Sequence, residues 1–471
     1  MSRRSHERRF TMSTTLLAGS ARVDITPPLS IPHLAYVPRQ GKFKNVHDPL
    51  YARALVLENE DTKIAVISAD SIGYSNDILG TDRNFTSEVR QMVEQRVGID
   101  AQNIMLASTH AHSTPETTGI TRLLDVPEAA PWLEVLIDQL ASAVEIAVSN
   151  LTEAHLKAGR GEAEGIGYSR RVIGKDGKFY HWTNRPADDQ IARCAVDHQV
   201  GVLLCESVED NLGSVLINFA CHPVTVQVQP SVSADYPGVA TRIIEQTFNG
   251  CRTHPSPSKG GDCMFLQGAG GNINPLLGTT NFDDVERYGM ILAGAVMQVV
   301  GRLRSPKVPV MEVALGMASE VVYLPARELP EREPFEKAYK EALLAAKNAQ
   351  TEEERHVASR TAIRNKETLD LIDRGTDPIR TEVQVMRIGD VALVATPGEL
   401  FAELGLEIKQ KSVAPYTFVI GYANDWIGYI VSPGTFAEGG YEASPGPWTR
   451  AGEEGGQIIM RKALELIKKL W

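Results

Sequence analysis

The sequence predicts an α/β protein: a mixed sheet core with covering helices and an inserted helical hairpin in its C-terminal half. Three observations carry that expectation. Apolar runs of strand length alternate with amphipathic runs of helix length, which implies strands with helices packed over them. Several of those runs stop at a residue with chemistry to offer, and in open α/β sheets ligands sit beyond the carboxyl ends of strands. A highly charged stretch over 331–374 reads as a solvated helical hairpin.

The elements follow in order. Residues 51–58 and 63–68 read as strands around the turn Asn59-Glu60-Asp61. Thr86 or Ser87 caps a helix that Gly98 stops. The run 103–108 is a strand, and 131–151 a long amphipathic helix. Strands over 200–206 and 214–220 flank the polar turn 207–213, and Ser233 or Asp235 caps a helix to about residue 248 with Pro237 in its first turn. Residues 263–267 form a strand that opens into a glycine loop, Gly268 to Pro275, and 283–304 a helix. Ser305-Pro306-Lys307-Val308-Pro309 reads as a joint. It divides 19–305 from 306–471, with residues 1–18 as a flexible N-terminal arm. Past the hairpin come strands over 381–387 and 391–396, then a helix opened by Pro397-Gly398-Glu399 with Glu399 in its first turn. A strand over 416–421, a Gly-rich aromatic loop over 422–448 and a helix over 455–470 complete the chain. No internal repeat or low-complexity tract is legible.

Composition narrows the function. The chain has 471 residues, 43% hydrophobic and 23% charged, an ordinary globular balance. Its net charge of −11 argues against a broad nucleic-acid footprint. Five cysteines without CxxC spacing give no disulfide framework or zinc ribbon, and Cys221 reads as a small core residue. The patch Leu16-Leu17-Ala18 is shorter than a secretory h-region, and the apolar stretch near 290–300 is too short to span a bilayer. The expectation is a soluble cytoplasmic chain without a transmembrane segment; oligomeric state is not legible.

The most informative segment is Ser108-Thr109-His110-Ala111-His112-Ser113. Side chains two apart on an extended backbone point to the same side, so both imidazoles can face one point beyond the strand. Neutral imidazole is the commonest protein ligand for transition metals. A second apolar run delivers His222, in Ala220-Cys221-His222-Pro223. The glycine loop Gly268-Ala269-Gly270-Gly271-Asn272-Ile273-Asn274-Pro275 lacks the phosphate-cradle patterns, so its glycines read as letting backbone approach a ligand or metal closely. The dull alternatives are a core histidine at His222, a helix-start carboxylate at Glu399, and a capping role for Asp235.

These segments resemble the neutral, non-lysosomal ceramidase family in its N-terminal catalytic domain. The resemblance is carried, in order, by Asp24-Ile25-Thr26-Pro27-Pro28, Tyr51-Ala52-Arg53-Ala54, the segments around His110 and His222, Gln267 through Pro275, Pro397-Gly398-Glu399 and the loop 424–444. It implies a metallohydrolase-like fold holding one Zn2+ ion and cleaving an N-acyl amide, a ceramide-like lipid above all. It further implies His110, His222, Glu399 and Tyr429 as zinc ligands, with His112 catalytic. Arg170, with Arg171 as its rival, matches the family's substrate-site arginine, and Tyr441 its second late-loop tyrosine. Gly271 and Asn274 fall in the substrate-binding loop. Two imidazoles and a carboxylate would leave such an ion residual charge, and room for a water whose pKa falls to about 7.

Two departures stand out. Characterised members carry a serine where this chain has Asn274, which favours metal-activated water over a covalent route and loosens the inference of substrate. The immunoglobulin-like domain of longer members is not expected here. Two other readings stay open: an amidase or esterase for a soluble non-lipid substrate, and a non-catalytic metal- or ligand-binding relative.

Overall fold

A computed structural model describes residues 15–33, 42–80, 82–120, 123–208, 213–249, 261–276 and 281–471. Eight strands build the larger sheet: β1 (Leu17–Asp24), β2 (Tyr51–Glu58), β3 (Lys63–Ala69), β4 (Ile104–Ser108), β5 (Thr152–Glu162), β6 (Gln199–Ser207), β7 (Gly213–Phe219) and β8 (Cys263–Gln267). Four build the smaller: β9 (Leu315–Leu324), β10 (Ile379–Ile388), β11 (Val391–Ala395) and β12 (Tyr416–Ile420). The main helices are α1 (Phe85–Val97), α2 (Ala129–Ser149), α3 (Asp235–Asn249), α4 (Phe282–Leu303), α5 (Arg332–Asn348), α6 (Glu352–Arg374), α7 (Ala402–Lys411) and α8 (Glu454–Leu470).

The layers follow from which apolar faces meet. Leu133, Leu136, Ile137, Leu140 and Val144 of α2 and Val89 and Val93 of α1 pack on Ala52, Ala54, Val56, Ala65 and Ile67. Leu292, Val296 and Val299 of α4 join Ile244 of α3 against Val200, Val202, Ile217 and Phe265. The opposite face of the large sheet (Leu55, Val66, Met105, Leu203, Leu216, Leu266) meets Met386, Leu393, Phe418 and Ile420 of the small sheet. Ile408 of α7 and Ile459, Ala463 and Leu466 of α8 cover the small sheet from outside. Burying one such side chain contributes about 1.5–3 kcal/mol, so the seam between sheets fixes the two parts of the chain against each other.

The large sheet runs β8-β7-β6-β5-β1-β2-β3-β4, antiparallel except for one parallel pair at each edge, β3/β4 and β7/β8. Counting directions across the five antiparallel steps from β3 to β7 leaves those pairs pointing oppositely in a flat sheet. Twist of roughly 20–25° per step accumulates over the seven steps to about 140–175° and turns one edge back on the other. Accordingly β8 touches β2, β3 and β4, and Ser68 Oγ of β3 donates to the Phe265 carbonyl of β8 at 2.5 Å. The loop after β12 fills the remaining gap: Gly421 N donates to Gln267 O at 3.0 Å, and Ala423 bridges to Ala107.

A motif with no counterpart in the sequence pattern recurs three times. A hairpin is followed by a helix and a strand parallel to the hairpin's second strand: β2–β3, α1, β4; then β6–β7, α3, β8; then β10–β11, α7, β12. Connectivity and twist are shared while side chains are not, which is why no repeat is legible.

Several boundaries differ from expectation. Asn84 caps α1, its side chain accepting from Ser87 N, while Gly98 ends the helix at φ 68° as anticipated. The N-terminal arm does not extend to residue 18: Leu16 is buried and Leu17 and Ala18 pair with β2 and β5; residues 1–14, Cys251 and turn residues 209–212 lie outside the described residues. Glu399 is not in a helix; Glu399–Leu400 is a short strand paired in parallel with Tyr429–Ile430, and α7 begins at Ala402. α5 and α6, joined by residues 349–351, pack on each other, and α6 reaches the late loop through Thr368 Oγ1 to Pro445 O at 3.0 Å. Among the described residues no helix is long and apolar enough to cross a membrane.

Candidate metal centre

The three parallel strand pairs deliver their following loops to one buried point. His110 lies two residues past β4, His222 three past β7, Gly271 four past β8, and Glu399 four past β11. The loop after β12 adds Tyr422, Trp426 and Tyr429. The expected reason for the His110/His112 convergence is corrected. His110 has φ 66°, so the pair is not on extended backbone. A left-handed residue turns the chain instead, setting the two rings edge to face with centroids 4.5 Å apart. Tyr422 and Asn424 also have positive φ, and the Tyr422 ring stacks on His110 at 3.9 Å. Non-glycine residues in this region cost about 1–3 kcal/mol each and gather at functional sites.

His110, His112 and His222 are buried, and their ligand-capable nitrogens lie within 4.8 Å of one another. His110 Nδ1 meets Ile72 O at 2.5 Å, and His222 Nδ1 meets Gly270 O at 2.7 Å and Ile273 O at 3.0 Å. A carbonyl only accepts, so each Nδ1 bears the proton and each Nε2 of the neutral ring turns a lone pair inward. Those lone pairs face a carboxylate: Glu399 Oε2 is 3.0 Å from His222 Nε2 and 3.5 Å from His110 Nε2. Burial pushes the His222 imidazole down to about 4, so at neutral pH a proton does not relieve the opposition at His222. A divalent cation would, and it would take nitrogen and oxygen donors of this kind. The residues therefore fit a metal ion. Trp426 Nε1 donates to the other carboxylate oxygen, Oε1, at 3.2 Å and orients the group.

His112 Nε2 lies 3.0 Å from His110 Nε2, and His112 is the most exposed of the three imidazoles. The Tyr429 hydroxyl accepts from Arg170 Nη2 at 2.8 Å, and burial holds that phenol well above its ordinary value although Arg170 opposes the shift. Arg170 also donates to Asn274 Oδ1 at 3.0 Å and Gly271 O at 2.7 Å. Arg171 points elsewhere, to Gly439 O and the carboxylates of Glu438 and Glu442. Gly271 is glycine for closeness: an added Cβ would stand 2.3 Å from Glu399 O, and its N–H donates to Leu400 O at 2.9 Å. Tyr441, 43% exposed, stacks on Trp448 at 5.1 Å and meets Tyr429 edge-on at 5.9 Å.

Tyr422, Trp426 and Glu442 were not legible as site residues. Trp426 and Glu442 lie inside the 424–444 loop that carries the resemblance, but nothing local announces the contacts they make. Asp235 is buried behind the His222 loop, accepting from Tyr236 N at 2.7 Å and Val226 N at 3.3 Å.

Residues 16–286 match the family model "Neutral/alkaline non-lysosomal ceramidase, N-terminal". The neutral ceramidase of Drosophila melanogaster is 24% identical over 266 residues, covering 53% of this chain and 34% of the relative. That of Pseudomonas aeruginosa is 22% identical over 512 aligned positions, covering 96% of this chain and 72% of the relative. The chain thus spans about a third of the fly protein's length. The crystal structure of the Pseudomonas aeruginosa neutral ceramidase superposes with a TM-score of 0.71 at 17% identity, over 96% of this chain and 74% of that one. A ceramidase structure described as complexed with C2 superposes at 0.70 with 16% identity, over 96% and 75%. The fold is shared, and with more than half of its length matched by the family model the chain belongs to the neutral/alkaline non-lysosomal ceramidase family.

Proposed function

We propose that this chain is a zinc-dependent hydrolase of N-acyl amides, with a ceramide-like lipid as the leading substrate class. One observation carries the reading: two buried imidazoles, each with Nδ1–H fixed on a carbonyl, turn their Nε2 lone pairs onto the Glu399 carboxylate. In this reading His110, His222 and Glu399 hold the ion, with Tyr429 beside them. Bound there, the cation polarises a carbonyl and lowers the pKa of a water to about 7.

The chain's own residues do the rest. His112, nearest to solvent among the imidazoles, carries a proton towards the leaving amine. The Tyr429 phenol, held by Arg170 Nη2 at 2.8 Å, offers its O–H to the oxygen on which negative charge develops. Arg170 and Asn274 fix the floor beneath the scissile group, and Tyr441 with Trp448 gives the mouth an aromatic wall against which an acyl or alkyl chain lies. Asn274, held by Arg170, keeps the soluble-substrate reading alongside, because no hydroxyl stands at that position.

The test is metal analysis followed by turnover on a panel of ceramide, N-acyl amines and small amides and esters, before and after chelation. Chelator-sensitive ceramide hydrolysis with one zinc per chain supports the reading. Turnover confined to small soluble compounds transfers it to the second substrate class. Stoichiometric zinc without turnover replaces it with a binding protein.

A further inference from the structure

We infer that Glu442 is a positioning and specificity-determining residue. It aims Arg170 across the floor of the centre and cancels that arginine's charge, so the site prefers amides uncharged on both sides of the bond over amides bearing a carboxylate. The inference rests on the amide-hydrolase reading above.

The geometry is a two-arginine grip on one carboxylate. Glu442 is buried, with a side chain 2% exposed. Its Oε1 accepts from Arg170 Nε at 2.6 Å, and its Oε2 from Arg171 Nη1 at 3.0 Å. Arg171 is itself anchored: it donates to Gly439 O at 2.7 Å and Glu438 Oε2 at 3.0 Å, and lies over the Phe179 ring at 4.7 Å. Glu442 therefore cannot follow Arg170 if that side chain moves; the arginine must conform to the carboxylate.

With Nε committed to Glu442, the planar guanidinium has its remaining edges directed. Nη1 reaches Asn274 Oδ1, and Nη2 reaches both Gly271 O and Tyr429 Oη. Four of its five N–H groups are thereby engaged. The fixed fork of donors is what lets one anchored edge set the other.

Charge completes the argument. Arg170 is largely buried, its side chain 13% exposed, so an uncompensated charge there would act at close range in a poorly screened setting. Glu442 supplies the compensation from within the protein. A ligand carboxylate arriving at Arg170 meets a guanidinium already paired, with Glu442 behind it as a repelling charge. Without Glu442, the same guanidinium would be free to make a charge-assisted pair with the ligand.

The experiment compares kcat and KM of the zinc-loaded full chain, wild type and Glu442→Gln, on N-lauroylethanolamine and N-lauroylglycine. The expected result is a shift of the kcat/KM ratio towards the glycine conjugate by about tenfold, equivalent to about 1.4 kcal/mol. A merely structural role would lower both substrates together; an unchanged ratio in a variant that unfolds cooperatively overturns the inference. If Glu442→Gln does not fold because Arg171 loses one of its two carboxylate partners, the Arg171→Gln, Glu442→Gln double variant replaces it. It leaves Arg170 uncompensated, so the same shift is expected and its absence overturns the inference. If wild type hydrolyses neither compound, the amide-hydrolase reading stands or falls separately on the panel above, and a crystal structure of the same variant decides the positioning claim. Arg170 displaced from Tyr429 and Asn274 supports it; Arg170 unmoved refutes it.

Discussion

The large sheet and the small sheet bring different chemistry to the same point. From the large sheet come imidazoles, neutral and aimed by backbone carbonyls: Ile72 O for His110, Gly270 O and Ile273 O for His222. From the small sheet comes the carboxylate, aimed by a side chain, Trp426 Nε1 to Glu399 Oε1. Backbone aiming is set by the fold itself and tolerates substitution. Side-chain aiming hangs on one indole, and Gly271 must be glycine for the two halves to close on each other at all. The imidazole half is therefore the rigid partner, and the carboxylate half the one that mutation can loosen.

Removing the carboxylate breaks the comparison most severely. If the centre is the proposed zinc site, Glu399→Gln loses zinc retention and all turnover above background while keeping a cooperative unfolding transition, because two lone-pair donors then face a neutral amide. Metal analysis and calorimetry on the same sample check this; full zinc occupancy with activity removes Glu399 from the centre.

Next comes His112→Ala. If this imidazole moves a proton rather than holding the ion, kcat falls by about 10²–10⁴-fold with zinc still bound. Loss of zinc together with activity would make His112 a ligand instead, and the large sheet would then supply three donors.

Trp426→Phe tests the aiming difference directly. It keeps the aromatic ring but removes the N–H on Glu399. Loss of such an orienting group typically lowers metal affinity about 10–100-fold, read by competition against a chelator of known affinity. No change would show that the His222 and His110 contacts alone hold the carboxylate.

How much of this could be read from the sequence follows the same division. Strands with apolar runs, such as β2, β4, β7 and β8, were legible from periodicity, and so were His110 and His222 at their ends. β5 was not. It is written Thr-Glu-Ala-His-Leu-Lys-Ala-Gly-Arg-Gly-Glu, because α4 lies so close that an added Cβ at Gly159 or Gly161 would stand 2.8 or 2.7 Å from Val299. A strand of small residues under a helix carries no hydrophobic signal. Glu399 was assigned to the wrong element for a related reason. Its strand partner, Tyr429, is thirty positions away, with Glu399 N bonded to Gly428 O at 3.0 Å, and local pattern holds no trace of such pairing. The positive φ of His110 and Tyr422 is fixed by tertiary contacts and is equally silent.

The smallest expected effect concerns the supports behind each half. Asp235 stands behind the His222 loop and Asp425 beside Trp426, and burial pushes each up to about 6 from an ordinary 3.8. A folded-state value above the unfolded one means that the native protein binds the proton more tightly. The contribution of these two groups to stability is then fullest below about pH 4, declines as pH rises to about 6, and is flat beyond. The two-unit shift bounds each contribution at about 3 kcal/mol. Asp425 accepts from Asn76 N and Trp426 N with Oδ1 and from Thr381 Oγ1 with Oδ2. Asn can keep both backbone bonds through its own oxygen, and the threonine hydroxyl can turn to accept from the amide. Asp425→Asn should therefore flatten its share of the slope between pH 4 and 6 and raise stability at pH 8, measured by denaturant unfolding across that range. Asp235 accepts from backbone N–H groups with both oxygens, Tyr236 N on Oδ1 and Val226 N on Oδ2, so an amide nitrogen in place of either oxygen sets donor against donor. Asp235→Asn should cost stability at pH 5, where the carboxyl is already protonated. If both asparagine variants behave alike, the two halves are supported in the same way, and the contrast between a fixed imidazole side and a looser carboxylate side is confined to the groups that would hold the proposed ion.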